Sequence, residues 1–172
     1  MSNIIPYKSI APQIDPSAFI APSGTVVGNV TIGEGSSVWF NTVIRGDFQK
    51  ITIGKNSNIQ DNATIHVMWD RPTEIGDQVI IGHNAVIHSS KIGNNCLIGM
   101  GSILLGYTEI GDNVVIGAGT MITQHKKIPA NSLVYGNPAQ IIHALRDDEI
   151  AALQASALNY RKVAEHYKAD LL

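Results

Sequence analysis

The chain has 172 residues, a formal net charge of −2, and 44% hydrophobic against 15% charged residues, which fits one domain with a sizeable core. With no dense Lys/Arg patch and no apolar run near the roughly 18 residues of a membrane span, neither nucleic acid nor a membrane is an expected partner. A single Cys excludes an internal disulfide, and the start Met1-Ser2-Asn3-Ile4-Ile5-Pro6 lacks the layout of a secretory signal, so a reducing cytoplasm is the expected compartment.

Residues 1–13 read as a lead-in. From Ile14 onward an aliphatic residue recurs at six-residue intervals: Ile14, Ile20, Val26, Ile32, Val38, Ile44, Ile53, Ile59, Ile65, Ile75, Ile81, Ile87, Ile92, Ile98, Leu104, Ile110, Ile116, Ile122, Ile128, Val134. Only the steps Ile44 to Ile53, Ile65 to Ile75 and Ile87 to Ile92 depart from six. Six is not a helical period. β-Branched residues at the beat, with Gly and Asn between, predict short strands joined by turns over residues 14–140. Taking every third beat gives Ile14, Ile32, Ile53, Ile75, Ile92, Ile110 and Ile128, and all but the first are followed by Gly or Pro. The true period is therefore three hexads, and the predicted fold is an all-β solenoid of about seven triangular coils.

Glycine after that beat is expected where the backbone needs positive φ. The residue four after each beat is usually small (Ala18, Gly24, Ser36, Thr42, Ser57, Ala63, Ala85, Cys96, Ser102, Thr108, Thr120), as crowded inner corners require. Cys96 belongs to this class and reads as a buried structural thiol. The units Ile75-Gly76-Asp77-Gln78-Val79-Ile80 and Ile110-Gly111-Asp112-Asn113-Val114-Val115 resemble the hexapeptide repeat of the left-handed parallel β-helix. The left hand is implied by that resemblance; generic crossover rules give the opposite one. After Val134 the beat stops at Tyr135-Gly136-Asn137-Pro138-Ala139. Over residues 147–172, Asp147, Asp148 and Glu149 precede Ile150, Leu153, Ala157, Tyr160, Val163 (or Ala164), Tyr167 and Leu171, which predicts a C-terminal amphipathic α-helix packed on the prism or on a neighbouring subunit.

The repeat also fixes which polar residues are neighbours. Arg45, His66 and His88 directly follow inward-pointing Ile44, Ile65 and Ile87, so they point outward in one column on adjacent rungs. Rungs are about 4.8 Å apart, and two imidazoles at that spacing can converge on one metal ion. His83 follows Ile81 on a different face and is expected to reach such an ion only from a neighbouring subunit around a threefold axis. Gln60 and Asp61 follow Ile59, which puts Asp61 one rung below His83. His125, His143 and His166 share no such alignment and read as ordinary.

This set (the repeat, Arg45-Gly46-Asp47, Asn58-x-Gln60-Asp61, His66, His83 with His88, and the terminal helix) resembles the γ-class carbonic anhydrase family over nearly the whole chain. The resemblance implies a lyase that hydrates CO2 to bicarbonate, working as a homotrimer. It implies Zn, or Fe or Co, held by His66 and His88 of one subunit and His83 of the next. It further implies interface ion pairs from Arg45, Asp47 and Asp61, a Gln60 that orients the attacking oxygen, a pocket-lining Asn58 and a hydroxyl from Tyr160. Three neutral ligands leave a divalent ion an open position, and such an ion acidifies its water towards a pKa of about 7, as carbonic anhydrases of another fold illustrate. One departure stands out. Highly active members carry acidic residues, with a proton-shuttling glutamate, in a long loop after the first metal histidine. Here Val67–Glu74 is short, Phe48 follows Asp47 where an acid can stand, and only Asp70 or Glu74 offers a substitute, so slow turnover is expected. The competing readings are an acyltransferase using one histidine as base, a metal-dependent esterase or thioesterase, and an inactive scaffold.

Overall fold

β-Branched residues at the beat favour extended backbone, and the amide and small residues between them favour turns. In the computed structural model, which describes residues 3–171, most hexads are a strand of two or three residues followed by a tight turn. The strands stack into a parallel β-solenoid of about seven turns with one C-terminal helix, matching a left-handed β-helix. Residues 1, 2 and 172, at the outer ends of the expected lead-in and helix, lie outside the described residues.

The three sets of beats become three flat faces. On the first face Ile14, Ile32, Ile53, Ile75, Ile92, Ile110 and Ile128 pair rung by rung. The second stacks Ile20, Val38, Ile59, Ile81, Ile98, Ile116 and Val134. The third stacks Val26, Ile44, Ile65, Ile87, Leu104 and Ile122. All of these are buried in one continuous core except Ile14 and Ile128, which pack against it. The small corner residues are buried too, and their hydroxyls are satisfied by the neighbouring coil. Ser36 Oγ donates to the Gly54 carbonyl at 2.7 Å, and Thr42 Oγ1 to the Gln60 carbonyl at 2.7 Å. Cys96 is buried among them, and burial pushes its thiol up to about 12, which suits a structural role.

The glycines after the first-face beats do not supply positive φ. A Cβ on Gly33 would stand 2.7 Å from the Gly54 carbonyl oxygen, and one on Gly76 would stand 2.7 Å from that of Gly93. They are needed because adjacent rungs approach too closely for any side chain. The left-handed backbone is instead carried mainly by amides at the turns, among them Asn41, Asn62, Asn84, Asn95 and Asn113, with φ of 58°, 61°, 58°, 54° and 54°. Short amide side chains tolerate that conformation better than most.

All three irregular intervals run from a third-face beat to a first-face beat, so they fall on one edge of the prism. The strands Thr25–Ile32 and Val43–Ile53 run continuously around that edge. The lead-in is not merely an approach: Asn3–Ile5 pairs parallel with Thr25–Val27. At the other end Ser132–Tyr135 is followed by Gln140–Ala144, which returns antiparallel, an element the periodicity does not announce. The helix Asp147–Leu171 lies along the second face and buries Leu153, Ala157 and Ala164, with Val163 left exposed. Its lower half is held by Tyr167 against Trp39, ring centroids 5.2 Å apart, and by Arg161 donating to Asn56 at 3.1 Å. Among the described residues no helix is long and apolar enough to cross a membrane.

Ile81 is fully buried in mid-stack. Ile81→Ala is expected to lower unfolding free energy by about 2–5 kcal/mol in denaturant titration, and a change below about 1 kcal/mol would contradict a close-packed prism.

Candidate metal centre

Because the buried Ile44, Ile65 and Ile87 face inward, the residues after them face out. His66 and His88 are register partners on adjacent third-face strands, with ring centroids 5.3 Å apart. Arg45 occupies the same column one rung below. The widened interval after Arg45 swings Asp47 back towards His66, whose Nε2 lies 2.9 Å from Asp47 Oδ1, and the other carboxylate oxygen pairs with Arg45. Burial opposes ionisation of Asp47, but the hydrogen bonds from His66 and Arg45 outweigh it and hold the carboxyl below its ordinary value. His88 is shifted down by burial first, then by the neighbouring charges of His66 and Arg45. A lowered value favours the neutral imidazole, the form that binds metal.

The second face carries the other polar group. Asp61 Oδ2 lies 2.9 Å from His83 Nδ1, one rung apart. That contact leaves His83 Nε2 directed away, the arrangement by which carboxylates orient ligand histidines. Gln60 is buried beside them, and its Nε2 donates to Asn58 Oδ1 at 3.2 Å. Asn58 Nδ2 is buried with no hydrogen-bond partner. Tyr160 of the helix packs edge-on to Trp39 at 6.2 Å and lines the same cavity as Gln60.

Within one chain, therefore, the expected residues form two groups on two faces: Arg45, Asp47, His66 and His88 on one, and Asn58, Gln60, Asp61, His83 and Tyr160 on the other. Among the described residues no cluster of three His, Cys, Asp or Glu side chains is placed to hold a metal. The donor chemistry nonetheless suits a divalent cation. Two imidazoles stand side by side, and a third is pre-oriented by a carboxylate. His66 Nε2 is engaged by Asp47, so binding at His66 requires that contact to open or the ring to present Nδ1.

Neither substitute acid is free. Asp70 accepts a hydrogen bond from the Tyr107 hydroxyl at 2.6 Å, and Tyr107 stacks on His125 at 4.6 Å. Glu74 sits on the first face, paired with Lys91 at 3.6 Å. The Phe48 ring, by contrast, lies 6.0 Å from that of His66, an aromatic neighbour whose only sequence signal is its place after Asp47. Trp69 is 77% exposed on the second irregular segment, whose backbone is held by Gln49 donating to the Trp69 carbonyl at 2.7 Å.

The six-repeat model of the bacterial transferase hexapeptide matches residues 89–124, and that of the hexapeptide repeat of succinyl-transferase matches residues 50–89 and 72–105. A carbonic anhydrase of Geobacillus kaustophilus is 46% identical over 166 residues, covering 96% of this chain and 91% of that one. A probable carbonic anhydrase of Methanocaldococcus jannaschii is 50% identical over 153 residues, covering 89% and 96%. The chain spans 60% of the mitochondrial γ carbonic anhydrase 1 of Arabidopsis thaliana, at 40% identity. A solved structure from Bacillus cereus, described as a putative acetyltransferase, superposes with a TM-score of 0.96 at 43% identity, covering 98% of each chain.

In metal-free protein, His88 is expected to titrate below 6.5 when followed by NMR, and His66→Ala should move it back towards that value. The sign for stability follows: the unfolded chain takes up this proton more readily. The contribution of His88 is thus complete above pH 6.5 and is lost as pH falls towards the lowered folded value. A His88 titration above 6.5 would contradict its burial beside like charge.

Proposed function

Because the chain belongs to the γ-class carbonic anhydrase family of hexapeptide-repeat proteins, we propose that it hydrates CO2 to bicarbonate at metal centres shared between the subunits of a homotrimer. The observation that carries this reading is the pairing of His66 with His88 at 5.3 Å while His83, oriented by Asp61, faces another way. A threefold arrangement brings the His83 face of one subunit to the His66 and His88 column of the next, giving three nitrogen ligands. When bound, a divalent ion (Zn, or Fe or Co) with three neutral ligands and an open position supplies a water acidified enough to attack at neutral pH.

This chain's own residues do the rest. Asp61 fixes the ring plane of His83, Asp47 holds His66 through Nε2 in the metal-free chain, and Arg45 balances the charge of Asp47 so that the carboxylate stays ionised. Asn58 accepts a hydrogen bond from the Gln60 amide through its Oδ1, which leaves the Gln60 oxygen to accept a hydrogen bond from the attacking O–H and orient its lone pair at the carbon. Tyr160 closes the pocket from the helix side. With Asp70 accepting from Tyr107 and Glu74 on the first face rather than in the His66–His88 column, neither candidate acid is placed to export the proton released in each turnover, so slow hydration is the expected regime.

Acyl transfer is the second reading, favoured by the description of the Bacillus cereus structure. It needs one general base, which His83 held by Asp61 would supply, and it leaves the His66–His88 pair without a task. Hydrolysis of esters or thioesters by the same metal centre shares the ligand set, and a silent scaffold keeps the metal without turnover. Elemental analysis of protein purified without added metal, together with its mass in solution, tests the main reading. One metal per chain in a trimer is expected; a metal-free monomer would overturn it. His88→Ala should lose the metal and weaken trimer association together, since ligation and assembly are linked. Gln60→Ala should keep the metal and lower kcat at least tenfold in a CO2-hydration assay, whereas unchanged kcat would remove its proposed role.

A further inference from the structure

Part of one stripe of the prism lacks side chains. On the second face, the positions after the buried beat residues carry Ala21, Trp39, Gln60, Gly82, Gly99, Gly117 and Tyr135, joined rung to rung by backbone hydrogen bonds. Three consecutive glycines bare the backbone there. At one end the stripe is closed by Gln60, and at the other the Tyr135 ring lies against Gly117. Leu97 and Val115 flank it on one side, Met100 on the other, and Ser156 and Tyr160 of the helix wall it in.

The furrow is open to solvent along its outer side, has a volume of about 450 Å³, and no charged side chain lines it. That size belongs to small-molecule sites of about 300–1,000 Å³ and far exceeds the needs of a triatomic gas, since a water occupies about 30 Å³ of liquid. With no cation along its length, the furrow has nothing to hold the spread charge of a phosphate or nucleotide, and a single anionic group can be met only at its Gln60 end, next to His83 and the proposed metal centre. The floor is one residue wide and runs over four rungs from Gln60 to Gly117, three steps of roughly 4.8 Å or about 14 Å, a shape for a chain rather than a ring.

We propose that this furrow is a subsite for an unbranched aliphatic chain, and that the protein takes medium-chain carboxylates with the head group beside Gln60 and the tail over Gly82 and Gly99. Placement of the head rests on the function proposed above. Bicarbonate and an alkyl carboxylate share the same O–C–O group, and Gly82 immediately precedes His83. The tail rests on the furrow alone.

The test is a calorimetric series of acetate, butyrate, hexanoate and octanoate on the protein as purified, with metal content measured on the same samples. Affinity is expected to rise about fourfold per added methylene, equivalent to about 0.8 kcal/mol each, until the furrow is full. Ser156→Trp fills the furrow from the helix surface. It should abolish the gain beyond butyrate while leaving acetate binding and melting temperature unchanged. Ala118→Leu, on the exposed side, gives the same test should the first variant fold poorly. Equal affinity for acetate and octanoate, or a gain that survives both substitutions, would overturn the proposal. A metal-free protein with a length-dependent series keeps the furrow and removes the hydratase reading; a metal-loaded trimer with a flat series does the reverse.

Discussion

Parallel pairing between successive coils holds this molecule at a single register, with Ile44 on Ile65 on Ile87 along one face and Ile59 on Ile81 on Ile98 along another. A slip of one residue would turn every beat side chain to solvent, so the core itself enforces the register. The polar residues inherit their positions from it. His66 stands beside His88 because Ile65 must stand beside Ile87, and Asp61 meets His83 because Ile59 must meet Ile81. The site is thus placed by aliphatic residues that never touch it.

The same constraint divides the chemistry. A triangular prism cannot direct two faces at one point, so a chain that puts two imidazoles on one face and a carboxylate-held imidazole on another presents two incomplete halves. In the proposed reading, closing the site and closing the ring of subunits are one event. The edge beside His66 is also where all three spacing irregularities fall. Extra residues there bring Asp47 onto His66 and Phe48 beside it, and leave the stacked faces undisturbed.

Much of this was legible in the sequence because a repeat converts spacing into adjacency. The three faces, the buried corner residues and the His66–His88 and Asp61–His83 neighbours all follow from counting. Other features were not legible, for identifiable reasons. Glycine after Ile32 or Ile75 looks the same whether it serves positive φ or close approach, and only the 2.7 Å clearance from the next carbonyl decides. Val163 and Ala164 fit the helix periodicity equally, and the tight seat on the prism selects the smaller. The antiparallel return Gln140–Ala144 carries no beat. The contact of Asp47 with His66 depends on the path of an irregular interval, which periodicity cannot describe. The furrow over Gly82 and Gly99 is defined by what is absent, and an absence acquires a shape only once the helix is in place.

That reversed final strand has a bearing beyond its own stability. A solenoid of identical coils ends in unpaired backbone groups, and a second copy laid end to end would otherwise continue the ladder indefinitely. On the second face the last strand runs against the direction of all the others, so an incoming copy finds the wrong polarity and cannot extend the same pattern. Growth into filaments is thereby discouraged along the long axis, and the flanks of the prism remain the surfaces through which copies can meet.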